Sequence, residues 1–196
     1  MKKENGVLTD VTEEDLKLLK ENSEEFWRGV TSIGNRAFKG CETLQSITIP
    51  DTVISIGGFA FYRCSSLQNI TIPNGVTIIN TGVFEYCKSL QKVIIADSVT
   101  YIGDHAFSGC KSLQEVTIPN SVTCIDSNAF SGCESLQKVT IPDSVTSIGN
   151  LAFFGCPSLK NISINKNCIA YTAFDTNTKV ERISTNSSTH DSDFQL

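Results

Sequence analysis

The hydrophobic residues of this chain return at a constant step of 23 residues. Glycine and polar residues recur between them at the same step, so that six consecutive units read almost alike. One such unit cannot bury its apolar residues alone, whereas stacked units form a continuous core, so the repetition predicts a solenoid. The three most regular columns are Ile33, Ile56, Ile79, Ile102, Ile125 and Ile148; Phe38, Phe61, Phe84, Phe107, Phe130 and Phe153; and Leu44, Leu67, Leu90, Leu113, Leu136 and Leu159.

Within a unit, apolar and polar residues alternate after the leucine, which predicts a short strand. In the first unit Ile47 and Ile49 would point into the core, and Ser46 and Thr48 would point outward. Proline follows this segment in four of the six units and would end the strand. A second extended segment, Val53–Ile56, is expected to form another face.

Between the isoleucine and the leucine, the pattern predicts a tight turn and then a short helical turn. Gly34 opens the turn with a residue type that tolerates left-handed backbone. Asn35 and its equivalents in the other units are residue types that cap helices. The helical turn would bury Ala37 and Phe38 and end near Cys41.

The unit "IG-x-x-AF-x-G-C-x-SL-x-x-(V/I)-x-IP-x-SVT" resembles the BspA-like leucine-rich repeats of bacteria and parasitic protists. Residues 30–167 match this unit in six consecutive copies. The third copy departs most, with Asn80 and Tyr86 replacing glycines and Ala96 replacing proline. The resemblance implies a right-handed leucine-rich repeat solenoid with a parallel β-sheet on the concave face, short helical turns on the convex side and an N-terminal capping helix. It supplies no catalytic residue.

Both ends of a solenoid must be covered, because an open end exposes core and strand edge. A helix over about 12–22 is predicted before the first repeat, with Leu16 and Leu19 covering it. After the last repeat, Ile169 and Phe174 keep the spacing of the isoleucine and phenylalanine columns. The expected organisation is an N-terminal cap at 1–29, six repeats at 30–167, a degenerate capping repeat at 168–183 and a flexible tail at 184–196.

The net charge of −5 and the isoelectric point near 5.0 argue against nucleic acid as a partner, since no basic run exists to displace phosphate counterions. No stretch reaches the roughly 18 apolar residues of a membrane span, so no membrane insertion is predicted. The first residues lack the apolar segment of a signal peptide. As written, the chain would be cytoplasmic; it would be secreted or at the cell surface if a leader had been removed.

Six of the eight cysteines occupy one column, one per unit. Neighbouring thiols in such a ladder would run side by side rather than face each other, so we interpret them as buried thiols that donate weakly to backbone, and not as disulfides. Zinc would need converging ligands with paired short spacings, and none occur. The remaining two, Cys124 and Cys168, are assigned to the column of Ser147.

No catalytic constellation is predicted, and no metal or cofactor. The two histidines, His105 and His190, lie at a variable position of the predicted helical turn and in the tail, and His105 is interpreted as a solvated surface residue. A core filled by leucine, isoleucine and phenylalanine leaves no pocket for chemistry.

Two surfaces are candidates for binding a partner. One column of outward strand positions varies from unit to unit while the core does not. Together with the threonine column on the same strands it forms the candidate concave binding face: Ser46, Thr48, Asn69, Thr71, Lys92, Ile94, Glu115, Thr117, Lys138, Thr140 and Asn161. The second candidate is an apolar contact strip on three successive units, where other units carry serine: Ile78, Tyr101 and Cys124.

These patterns predict a non-enzymatic scaffold that binds protein. Similarity to the BspA-like family implies adhesion to host matrix or cell-surface proteins. The free thiols and the missing leader favour instead an intracellular interaction module. A third reading makes the chain a homo-oligomer that associates through the apolar strip.

Overall fold

The computed structural model describes residues 1–184, and it is a parallel-sheet solenoid of about six turns. The predicted leucine-rich repeat fold is therefore confirmed. From residue 185 onward, the predicted flexible tail lies outside the described residues, and so does His190. No helix in the described part of the chain is both long and apolar enough to cross a bilayer.

The chain begins with strands β1 (Lys2–Glu4) and β2 (Val7–Thr9) and helices α1 (Asp15–Glu21) and α2 (Ser23–Trp27). All later elements are strands. In chain order they are β3 (Ser32–Ile33), β4 (Ser55–Ile56), β5 (Asn69–Thr71), β6 (Ile78–Ile79), β7 (Lys92–Ile94), β8 (Tyr101–Ile102), β9 (Glu115–Thr117), β10 (Cys124–Ile125), β11 (Lys138–Thr140), β12 (Ser147–Ile148), β13 (Asn161–Asn165) and β14 (Lys179–Ile183).

Each turn of the solenoid contributes strands to two parallel sheets. The longer strands pair in the order β11-β9-β7-β5, and the two-residue strands pair in the order β12-β10-β8-β6. The first turn contributes only a bridge, between Ser46 and Asn69, to the first of these sheets. The second sheet confirms that the segment beginning at Val53 forms another face, because β4 pairs with β3 in the same manner. Equivalent residues of successive turns therefore lie directly opposite each other.

The core is a stack of phenylalanine rings along the solenoid. Phe107 and Phe130 lie 5.1 Å apart between ring centroids with 7° between the ring planes. From Phe38 to Phe174, neighbouring rings keep centroid distances between 4.8 and 5.4 Å. The isoleucine and leucine columns surround these rings and are buried as well. The stack explains why a single turn would not fold alone, since each ring is covered by the rings of its neighbours.

The cysteine column runs beside the rings, and all eight cysteines are free. The thiol of Cys64 donates to the carbonyl oxygen of Phe38 in the preceding turn at 3.1 Å. Four later turns repeat this bond at 3.1–3.3 Å. The interpretation of the ladder as buried thiols donating to backbone is confirmed. Burial raises the pKa of the Cys87 thiol to about 12, so that it stays protonated at neutral pH.

The left-handed residues do not stand where the sequence predicted them. Gly34 has ordinary backbone angles, and the positive φ falls two residues later, at Arg36 (φ 58°), and again at Gly40 (φ 74°). The glycines of the Gly34 column provide space instead: a Cβ on Gly149 would lie 2.4 Å from the backbone nitrogen of Ser127 in the preceding turn, while Asn80 and Asp126 occupy this column in two other turns. The segment from this glycine to the cysteine forms consecutive turns, and none of it within residues 1–184 is helical.

The asparagine after this glycine also acts between turns rather than as a helix cap. The side-chain oxygen of Asn35 accepts a hydrogen bond from the backbone nitrogen of Gly58, one turn later, at 2.8 Å. The predicted capping role was wrong because no helix begins there.

The N-terminal end is covered by a hairpin and two short helices. β1 pairs antiparallel with β2, which in turn pairs parallel with β3. The hairpin turns at Asn5 and Gly6, both of which have positive φ, as type I′ turns require. Asn22 separates α1 from α2 and caps α2 through the backbone nitrogen of Glu25 at 3.0 Å. Phe26 packs on the first ring of the stack, with 6.2 Å between centroids.

The C-terminal end continues the stack with a shifted register. Phe174 stacks on Phe153 with centroids 5.4 Å apart, and β14 pairs in parallel with β13. The bridge partner of Ser147 is Ile169, which is 55% exposed. Cys168 is buried, one position before this bridge. Its assignment to the serine column was therefore wrong, and its side chain belongs to the core.

Candidate protein-interaction surface

The outward residues of the longer strands form one continuous surface, which we call the strand face. All eleven residues predicted for it are exposed, while the residues between them are buried. This alternation follows from the strand period of two, which sends successive side chains to opposite sides of the sheet. The parallel register brings Asn69, Lys92, Glu115 and Lys138 into one row.

Charges alternate along the middle of the strand face. The Lys138 ammonium lies 2.7 Å from the Glu115 carboxylate, and both side chains are more than half exposed. Lys92 lies opposite Glu115 on the other side. Exposed pairs of this kind contribute little to stability, at most about 1 kcal/mol. Their charges are therefore free to exchange their present partners for those of a bound molecule.

An open groove crosses the strand face from the second to the fourth turn. Lys92, Ile94, Glu115 and Thr117 contribute to its lining. The exposed Ile94 interrupts the threonine row that runs along this edge, and 48% of it is exposed. The groove therefore combines apolar side chains with charges of both signs.

The apolar strip of Ile78, Tyr101 and Cys124 lies on the second sheet. The three residues pair in register, and their side chains point away from the buried isoleucines beside them. Ile78 is 43% exposed, whereas Tyr101 and Cys124 are half-buried. The Tyr101 hydroxyl donates to the Asp126 carboxylate, and this bond raises the pKa of Tyr101 to about 12. The three side chains thus form a continuous strip. The hydroxyl of its central residue, Tyr101, is polar and lies at the edge of the strip.

His105 is less solvated than the sequence predicted. It occupies a left-handed turn position, and its side chain is 39% exposed. Its Nε2 lies 3.7 Å from an Asp104 carboxylate oxygen, and its Nδ1 lies 4.0 Å from Glu85. Burial raises the pKa of Glu85. Within residues 1–184, no three side chains of histidine, cysteine, aspartate or glutamate converge as metal ligands.

Sequence reasoning missed a third surface, on the turn side of the early repeats. Exposed cations and aromatic rings alternate there, and the Arg63 guanidinium lies over the rings of Tyr62 and Tyr86 at 5.1 and 5.9 Å from their centroids. The signal was present in the sequence: Arg63 and Tyr86 stand in successive units where other units carry glycine. Only comparison along the column, and not composition, reveals it.

Comparison with known proteins agrees with this architecture. A family model for the BspA type leucine rich repeat region matches residues 20–123 and 106–193. A leucine-rich repeat protein from Bacteroides ovatus ATCC 8483 is 42% identical, with a TM-score of 0.66, over 72% of this chain and 38% of its own. One from Eubacterium ventriosum ATCC 27560 is 26% identical, with a TM-score of 0.70, over 83% of this chain and 44% of its own.

The leucine-rich repeat protein TpLRR of T. pallidum is 29% identical, with a TM-score of 0.56, over 66% of this chain and 72% of its own. A search of curated proteins gave no significant match. This chain thus spans less than half the length of the Bacteroides and Eubacterium proteins. Since the family model covers the chain almost from end to end, the protein belongs to the BspA-type leucine-rich repeat family.

Proposed function

We propose that this protein is a non-enzymatic scaffold that binds another protein through the strand face. The repeat family itself is one of protein-interaction scaffolds. The observation that carries the proposal is the contrast along the sheet. One row of exposed side chains, from Ser46 to Asn161, differs from turn to turn, while the threonine row beside it changes only at Ile94 and the buried residues of the strands hardly change. Repeat proteins distinguish their partners through variable surface residues on a repeat framework that stays constant.

The partner we propose is a protein of the host matrix or of a cell surface, which makes the chain an adhesin. Alternating Lys92, Glu115 and Lys138 offer both charge signs within three strands, and the neighbouring Ile94 offers apolar area. Such a mixed surface suits a folded protein better than a polyanion, which would meet Glu115 at the centre of the row.

Binding of matrix proteins to the immobilised chain tests the proposal. The Lys92→Glu, Lys138→Glu double variant reverses both cations of the strand face. We expect it to lose capture of the matrix protein, because each substitution adds a like charge beside Glu115. The matched control is Lys17→Glu, Lys166→Glu, which makes the same change of net charge at exposed residues away from the strand face and should bind normally.

Three results would count against this reading. If no saturable capture is observed, the protein does not adhere to the matrix proteins used. Equal loss in both double variants would assign the effect to net charge rather than to the strand face. Capture solely from lysate of the source cells, again lost in the strand-face variant, would favour an intracellular partner and keep the scaffold.

Self-association through the apolar strip is the second candidate function. It is favoured by the exposed Ile78 at the head of the strip and by the exposed Ile54 one turn earlier, of which 61% is accessible. In that case Tyr101→Ser should lower the mass measured by light scattering. A mass that is the same in both proteins would remove the idea.

A further inference from the structure

The third surface contains an arrangement that neither the fold nor the strand face explains. We call it the basic aromatic patch and define it by Arg36, Lys39, Phe59, Tyr62, Arg63 and Tyr86. It lies on the turn side of the first three repeats, and the groove across the strand face shares none of its residues. An inference about it therefore goes beyond the proposed function.

The rings of the basic aromatic patch hold its cations in place. Tyr62 packs edge to face against Phe59 and against Tyr86, with centroids 5.9 and 5.8 Å apart. The guanidinium of Arg63 lies over the rings of both Tyr62 and Tyr86. Arg36 lies over Phe59 at 5.6 Å from its centroid. A guanidinium stacked by its face on aromatic rings still presents its N–H donors at the edge, where they can pair with a carboxylate.

Two residues of the patch have a strained backbone conformation. Arg63 and Tyr86 both have φ of 59°. The equivalent residues of the other turns are Gly40, Gly109, Gly132 and Gly155, each with φ between 71° and 74°. Glycine adopts this conformation without strain, and other residues do not. Two successive departures that bring a guanidinium over two aromatic rings point to a use for the side chains themselves.

The charge of the basic aromatic patch is not neutralised within the described chain. Arg36, Lys39 and Arg63 form no ion pair among residues 1–184, and all three are exposed. Lys88 adds a cation along the groove beside Tyr86, whereas Lys111 in the same groove is paired with Glu134 at 2.6 Å. The protein as a whole carries a net charge of −5, so this local excess of positive charge is a distinct feature of one side.

We propose that the basic aromatic patch binds an acidic peptide segment of a partner protein, one in which carboxylates alternate with apolar side chains. Carboxylates would pair with the edge of the Arg63 guanidinium and with Arg36 and Lys39. Apolar side chains would pack on the exposed ring of Tyr86. Glu42 and Glu85 line the same two grooves and would repel a uniformly charged chain such as a sulfated glycan or a nucleic acid. An acidic peptide can instead place apolar residues beside them.

Fluorescence anisotropy with a labelled peptide that alternates glutamate with leucine and phenylalanine tests this proposal on the full chain. The same peptide with glutamine in place of glutamate is the ligand control. Arg63→Gly and Tyr86→Gly are the variants, because glycine is the native residue of four other turns and both proteins should fold. Lys160→Gln, which removes one exposed cation from the sixth repeat and introduces the glutamine that the other five units carry there, is the matched control for charge.

We expect saturable binding that weakens as salt is raised, because the contact is electrostatic. Arg63→Gly should weaken it about tenfold or more, as loss of a charge-assisted pair does. Tyr86→Gly should also weaken it, and Lys160→Gln should leave it nearly unchanged. Circular dichroism and urea midpoints near those of the unaltered protein would show that both glycine variants are folded.

The proposal is overturned if the glutamate peptide does not bind, if the glutamine peptide binds equally well, or if folded Arg63→Gly binds as the unaltered protein does. Heparin binding that depends on Arg63, in the absence of peptide binding, would assign the basic aromatic patch to a sulfated glycan instead. None of these results bears on the strand face, whose test uses other residues and other ligands.

Discussion

The thiol of Cys110 donates to the carbonyl oxygen of Phe84, with 3.2 Å between sulfur and oxygen. The same oxygen accepts the backbone N–H of Cys87, from its own turn, at 3.1 Å. One carbonyl therefore closes a turn and also ties it to the next turn. Since buried carbonyl oxygens have room for two donors, the cysteine column adds a bond between turns without removing one within them.

Thiol reactivity should follow this burial. Cys124 is half-buried, and the other seven cysteines are buried. We expect a thiol reagent to modify Cys124 first in the native protein and the remaining cysteines only after unfolding in urea. Cys124→Ser should abolish the fast phase. Rapid modification of several thiols in native Cys124→Ser would show that the cysteine column is accessible to solvent.

Stability should fall as the solution becomes strongly basic. Burial raises the pKa of Cys41 and of Cys87 to about 12, from an ordinary value of 9.0. Above pH 9 the unfolded chain releases these protons while the folded chain keeps them, so the free energy of unfolding decreases from pH 9 towards pH 12. Urea unfolding at several pH values in this window measures the slope.

Lysine and tyrosine also ionise in that range, so a matched variant is needed. Cys87→Ala removes one of these buried thiols, so the free energy of unfolding should fall less steeply with pH. Identical slopes for this variant and the unaltered protein would show that the buried thiols do not govern the effect.

Removal of a central ring should be more costly than removal of a terminal one. Phe107 is fully buried and stacks on rings at both sides, so Phe107→Ala should lower the free energy of unfolding by about 3–5 kcal/mol. Phe174 is half-buried and stacks on Phe153 alone among the described rings. Phe174→Ala should cost less. Denaturant unfolding of both variants compares them, and a loss below about 1 kcal/mol for Phe107→Ala would show that the column is not core.

The glycine that lies against the preceding turn should tolerate alanine less well than a glycine with free space. A Cβ on Gly149 would lie 2.4 Å from the Ser127 backbone nitrogen, and backbone cannot move aside without opening the stack. We expect Gly149→Ala to cost about 2–3 kcal/mol. At Gly40 nothing lies within 4 Å, and only the positive φ opposes a side chain, so Gly40→Ala should cost about 1 kcal/mol. Equal urea midpoints would contradict the close approach.

Tyr101 should titrate later than an ordinary tyrosine. Its hydroxyl donates to Asp126, which favours the protonated phenol and raises the pKa from 10.0 to about 12. Absorbance at the phenolate band should therefore show a late step that Tyr101→Phe removes. Its absence from the unaltered protein would show that the bond to Asp126 does not form in solution.

The sequence was most informative where one turn repeats another. Ile47, Leu44 and Phe38 could be assigned to the core because the same residue types return at the same step, and stacking requires equivalent positions to share an environment. The exposed strand face followed from the alternation around Ile47. The thiol ladder followed from the same regularity.

Positions whose role depends on the neighbouring turns were harder to predict from the sequence. Gly34 was assigned a left-handed backbone because one unit was considered alone, whereas the glycines of this column make room for the backbone of the adjoining turn. Cys168 was placed one residue away from its true register because the last turn is shortened. The hairpin at the N-terminus carries no repeat, although its Asn5-Gly6 pair is a turn signal that could have indicated it.

The uniform spacing of the phenylalanine rings has a consequence for how such a chain can change in length. Since the upper and lower surfaces of a middle turn carry the same residues in the same places, a duplicated segment of 23 residues would find matching partners on both sides. A step of another length shifts the register of the columns, as the shortened last turn shows: Phe174 still stacks on Phe153, but the exposed Ile169 becomes the partner of Ser147. Growth and loss by whole turns are thus the changes this architecture accommodates, and each added turn extends the strand face by one more row of variable side chains.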